Sequence, residues 1–297
     1  MVVIWVATRA GVHVVRDGAV ATELPERSVS FLATSGDELR AIVDGNEIWR
    51  RSDDGWSHVA AVDGYGANAM AFTDRWLIGT SEAHLLELAD GTPKPIESFD
   101  RVAGRDGWYT PWGGPPDTRS FSEWDEHVFV NVHVGGIVHT TDGGTTWSPT
   151  IDIDADVHQV TTTEDFVLAA CAGGLAVSPD RGETWVERTD GLDHVYSRAV
   201  TVLDDTVLVS ASRGPRGGEA AVYRGALVGG TFERCRTGVP EWFDGNIDSH
   251  CLDAPPEGPL VAFGTGDGDV FASTDAGATW DPIAEDLPPI QRVLVTP

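Results

Sequence analysis

Seven tight-turn signals about 36 to 52 residues apart, no helical period of useful length, and a final strand-like segment with no successor predict an all-β chain. The architecture they imply is a seven-bladed β-propeller spanning residues 1–297 as one domain. Its ring is expected to close by the C-terminal strand pairing into the N-terminal blade. The turn signals fall at Asp17-Gly18, Asp53, Asp90-Gly91, Asp142, Asp180, Gly229-Gly230 and Asp275. Each interval holds four short strands and their loops.

Three of the turns share one pattern, S/T-x-D-x-G-x-T-W, at residues 140–147, 178–185 and 273–280; Ser52-Asp-Asp-Gly-Trp56 is a worn copy. An Asp side chain can bond backbone N–H groups inside a tight turn, and Gly supplies the positive φ that such a turn needs. The Trp is placed to pack inward as the next strand opens. This pattern resembles the Asp-box, or BNR, repeat of sialidase-like, glycosyl-hydrolase-like β-propellers. The resemblance implies that the box joins the third and fourth strands of a blade. It makes Asp142, Trp147, Asp180, Trp185, Asp275 and Trp280 structural turn clamps, with calcium or substrate binding as the lesser reading. The Arg-Ile-Pro signature of sialidases has no counterpart here, where the first blade reads Val6-Ala-Thr-Arg-Ala-Gly11, so no catalytic triad carries over.

The N-terminus starts on what reads as a second strand, Val3–Thr8, while Arg292–Thr296 has the character of an inner strand. The last segment therefore completes the first blade and hides a sheet edge. Aligned on their first apolar residues, the inner strands begin Arg119-Ser-Phe, His158-Gln-Val, Arg198-Ala-Val, His250-Cys-Leu and Arg292-Val-Leu. In a propeller these positions would converge on one channel mouth, joined by His133 and Arg213 from neighbouring turns. Guanidinium groups recognise carboxylate or phosphate through paired hydrogen bonds, so Arg119, Arg198, Arg213, Arg292 and His133 are expected to bind a small anion or acidic sugar. The structural alternative pairs these cations with Asp117, Asp156, Asp193 and Asp248 to hold neighbouring blades together.

Two Gly/Pro-rich insertions, 104–124 and 239–248, carry Trp108, Tyr109, Trp112, Trp242 and Phe243. Such rings either wall a pocket, with Trp112 and Trp242 stacking on a sugar, or pack on each other. Acid–base candidates are Asp156 with His158, Asp248 with His250, and Glu241, while Tyr196 is a candidate nucleophile. Whether the chain is a glycosidase-like enzyme is left open, and the alternative function is a non-catalytic scaffold that meets a protein partner. No cofactor is expected. A divalent ion on His133, His158, His250 and Asp156 is the less favoured alternative, because nearby arginines oppose a cation.

The formal net charge is −27, with 20 Lys+Arg against 47 Asp+Glu. A field this negative repels nucleic-acid phosphates and anionic lipid, so neither is an expected partner. Abundant Asp and Glu beside a single lysine, Lys94, resembles the proteins of salt-loving archaea. Molar salt shrinks the Debye length to about 3 Å and screens the self-repulsion. Three cysteines without a CxxC pair suggest neither a disulfide framework nor a zinc site. No membrane span or signal core is read, so a halophilic, acidic, cytoplasmic protein is expected.

Overall fold

The computed structural model describes residues 2–255 and 258–297. Its 28 strands form seven four-stranded antiparallel sheets, each a blade of a seven-bladed β-propeller. Among the described residues, helical structure is confined to three short 3-10 turns, at Phe99–Arg101, Arg105–Gly107 and Ile153–Ala155. Blades two to seven take consecutive strands. The fourth, for example, runs Thr118–Trp124, His127–Val132, Gly136–Thr140 and Ser148–Pro149.

The first blade departs from that order, because Ile290–Thr296 pairs with Val3–Thr8 over the register Val3↔Thr296 to Thr8↔Ile290. Side chains anchor this closure. Trp5 Nε1 donates to Thr296 Oγ1 at 3.0 Å, and Val295 N donates to Asp253 Oδ2 at 2.7 Å. The strand thereby satisfies backbone groups that an open sheet edge would leave for other chains.

The three repeated turns sit between the third and fourth strands of blades four, five and seven. Asp142 Oδ1 accepts from Thr146 N at 2.9 Å and Thr140 Oγ1 at 2.8 Å, while Oδ2 accepts from Thr146 Oγ1 at 2.7 Å. Asp180 and Asp275 make the same three bonds. The backbone and hydroxyl donors of Thr146 push the Asp142 carboxyl down to about 2, and those of Thr279 do the same to Asp275. Gly144, Gly182 and Gly277 take φ between 80° and 91°, the left-handed region that an L side chain resists.

The indoles lie just before the fourth strands rather than within them. Trp147 and Trp280 are buried, and each donates to the carbonyl of the box glycine three residues back. Trp185 is half-buried and donates to Thr150 O at 2.9 Å.

The chain divides into two compact units. One comprises residues 1–29, 170–176 and 187–297, the other residues 30–169 and 177–186. In the first, a core of Val6, Leu252, Phe263, Phe271, Trp280 and Val293 lies among blades one, six and seven. In the second, one cluster gathers around Ile42, Met70, Trp76 and Ile78, and another around Phe99, Trp108, Val130 and Trp147. All three cysteines are buried thiols outside any disulfide; burial pushes the Cys235 thiol up to about 11 and raises the Cys251 thiol as well. Among the described residues, no helix is long and apolar enough to cross a membrane.

Candidate functional site

In the unit of residues 30–169 and 177–186, three local features bring one cluster together. The first is a short cap: Asp152 Oδ1 accepts from Asp154 N at 2.8 Å and opens the 3-10 turn at Ile153–Ala155. Asp156 ends that turn in the left-handed region, at φ 49° and ψ 66°, immediately before the strand Val157–Thr162. His158 is the second residue of that strand and fully buried.

The second feature is the hairpin turn between His127–Val132 and Gly136–Thr140, which presents His133. The third is the insertion that begins at Gly104. It is tied to the hairpin turn by two backbone bonds, His133 N to Asp117 O at 2.9 Å and Tyr109 N to Val134 O at 3.3 Å.

These features converge on Asp156. Its Oδ1 lies 3.1 Å from His133 Nε2 and 3.8 Å from His158 Nε2. Burial alone would raise the carboxyl, but the two imidazoles, with Arg119 beyond them, hold it below the usual carboxylate value. Asp156 Oδ1 and His133 Nδ1 are nevertheless buried without a hydrogen-bond partner among the described residues. Trp112 stacks on His133 with ring centroids 5.0 Å apart and planes at 28°, and the Arg119 guanidinium lies 6.0 Å from the indole. Tyr109 donates to Asp154 Oδ1 at 3.1 Å.

The other unit holds Arg198, Arg213, Arg292, His250, Asp248, Tyr196, Glu241 and Trp242. Arg198 Nη1 donates to Asp248 Oδ1 at 2.7 Å, and its guanidinium lies 5.4 Å from the Tyr196 ring. Arg213 pairs with Glu219, which also bonds His194 Nε2 at 2.7 Å. Arg292 and Asp253 are half-buried neighbours, and desolvation raises that carboxyl to about 6. Arg234, which the sequence did not single out, stacks 3.7 Å over Trp242; Arg234 also lies 3.5 Å from Asp193 and 3.8 Å from Glu241.

Asp248 is engaged by Arg198, the pairing that the structural alternative named, and the His250 carbonyl accepts from Val293 N at 3.0 Å. The inserted rings also divide: Trp108 and Phe243 go into the cores, packing on Phe99 and on Phe263 with Phe271, so neither walls a pocket. Trp112, 67% exposed, and Tyr109, 45% exposed, stay at the surface.

The sequence matches no family model and no curated protein. Solved structures with a similar fold include the computationally designed Ika8 protein, with a TM-score of 0.59 and 13% identity over 94% of this chain and 82% of that one. A GH74 xyloglucanase from Xanthomonas campestris aligns with a TM-score of 0.60 and 14% identity; it covers 82% of this chain and 43% of its own. A chain of the mitotic checkpoint complex gives 0.61 and 11%, over 87% and 79%. At these identities the likeness is one of fold.

Proposed function

We propose that this propeller binds an acidic carbohydrate at Trp112, Arg119 and Asp156, on a frame of Asp-box type. The observation that carries the reading is Trp112. Its indole is 67% exposed, yet it is steadied by stacking on the buried His133 and stands beside the Arg119 guanidinium. A pre-positioned indole offers a flat apolar surface to a sugar ring at little entropic cost. The guanidinium supplies the donor pair that a carboxylate takes. Asp156, kept ionised at neutral pH, accepts from sugar hydroxyls and is the group that would serve as base in any glycosidase-like step. The fold likeness to a xyloglucanase supports the saccharide class, and Arg119 supports the acidic group.

The test is calorimetric titration in molar salt with oligosaccharides that carry a carboxylate and with their neutral analogues. Trp112→Ala is expected to weaken binding at least tenfold, by analogy with ring-stacking losses of ~1–3 kcal/mol per base. Arg119→Ala is expected to remove the preference for the acidic form. Equal affinity in Trp112→Ala, or no binding by the parent protein, overturns the reading.

A scaffold role is the second reading, since Trp112 and Tyr109 also suit a partner surface. It predicts saccharide-independent capture of a protein that Trp112→Ala abolishes. The charge of −27 and the buried thiols outside any disulfide support a reducing, salt-rich cytoplasm as the setting.

A further inference from the structure

We propose that His133, Asp156 and His158 together bind one divalent transition-metal ion, zinc by preference. The inference does not rest on the saccharide reading, because metal binding without any sugar would sustain it.

Three observations carry it. First, one nitrogen or oxygen from each residue lies within 4.8 Å of the other two. Donor atoms on a tetrahedral zinc ion at 2.0–2.1 Å stand about 3.3 Å from one another. Two of the observed separations, 3.1 Å and 3.8 Å, bracket that edge. Second, the cluster is buried: His133 is 2% and His158 0% exposed, and the Asp156 side chain is 22% exposed. Third, Asp156 Oδ1 faces both imidazoles at these distances without a well-aligned hydrogen bond, and His133 Nδ1 is buried with no partner among the described residues. A buried polar atom left unsatisfied costs about 1–3 kcal/mol. A bound cation would remove that penalty at the carboxylate oxygen.

The donor set selects the class of metal. Two imidazoles and one carboxylate suit zinc and its first-row neighbours, whereas calcium and magnesium take shells of oxygen. Three protein ligands leave a fourth position for water or for the carboxylate of a ligand. Arg119 opposes the cation electrostatically. With the metal bound, the same charge favours an anion at the open position, so the guanidinium and the metal act on the ligand in the same sense.

The experiment titrates the chelator-treated full chain with zinc chloride in molar potassium chloride, by calorimetry and by NMR of the imidazole rings. One equivalent is expected to bind, with the ring resonances of two of the nine histidines shifting in step with it. Asp156→Asn is expected to weaken binding at least 100-fold. That variant should stay folded, because Asn accepts the left-handed backbone at position 156. His127→Gln, in the hydrogen-bonded pair His127–His139, is expected to leave binding unchanged. No binding, binding of several weak equivalents unaffected by Asp156→Asn, or shifts spread over other histidines would overturn the proposal. The ring resonances of the parent protein decide the matter without any variant.

Discussion

Arg198 with Asp248, and His158 with Asp156, occupy matching places at the starts of inner strands, one in each unit, and they solve the same electrostatic problem differently. Arg198 Nη1 meets Asp248 Oδ1 at 2.7 Å, and Ser249 N adds a second donor to that oxygen at 3.2 Å. Its charge is answered inside the protein. Around Asp156 two imidazoles approach one carboxylate oxygen, and that oxygen and a ring nitrogen go without hydrogen bonds. The Asp248 carboxylate is held by a charge-assisted bond even though Arg198 Nε has no hydrogen-bond partner among the described residues, while a carboxylate oxygen approached by two imidazoles but not bonded has capacity left for a ligand. The contrast argues against spreading one anion site over all the arginines and concentrates binding at Asp156.

The largest effect that would test this contrast comes from removing residues 290–297. That deletion takes the innermost strand of the first blade and, with it, Arg292 beside Asp253. Loss of cooperative melting by circular dichroism is expected, and an unchanged melt would mean that the closure is dispensable. Next comes Asp253→Ala, which leaves Val295 N without its acceptor and takes the neighbouring carboxylate from the half-buried Arg292 guanidinium. Breaking a fully buried pair costs about 3–5 kcal/mol, which bounds from above the loss measured by urea unfolding.

Arg198→Ala should cost less than about 1 kcal/mol, because the Asp248 side chain is 57% exposed and water replaces the partner. Asp156→Asn should change metal-free stability by less still, while the same substitution removes metal binding. A loss of stability as large as that of Asp253→Ala would make Asp156 structural and end the distinction.

The pH dependence sharpens the same contrast, because the two carboxylates shift in opposite directions. Asp253 is raised to about 6 in the folded chain, so its contribution is full below the ordinary value of 3.8 and is lost as pH rises through about 6. Asp156 is lowered, so its contribution is present above 3.8 and is lost as pH falls through its folded value. Melting temperature against pH should therefore flatten between about 4 and 6 in Asp253→Asn, and only below about 4 in Asp156→Asn. Matching profiles for the two variants would refute the opposed shifts.

Much of the fold was legible in the residues. The seven turn signals fall at the seven outer hairpins, and the C-terminal segment completes the first blade. The site was legible only in part. Asp156, His158 and His133 were named as candidates, but their association was one option among several. Tyr109, bonded to Asp154 beside the cluster, was read only as a ring, and Arg234 was passed over. Of the charges most evident in the sequence, Arg198 is occupied by Asp248, a partner named among the alternatives, and Arg213 by Glu219, which was not.

The sequence by itself determined the turns and the strands between them, because the repeated S/T-x-D-x-G-x-T-W turn closes through groups no more than four residues apart and an antiparallel hairpin pairs near neighbours. Tertiary structure decided which charges are neutralised and which are left available. Trp112 reaches His133 across 21 positions, and His133 reaches Asp156 across 23. At such separations chain entropy gives no preference, and packing of the blades selects the partner.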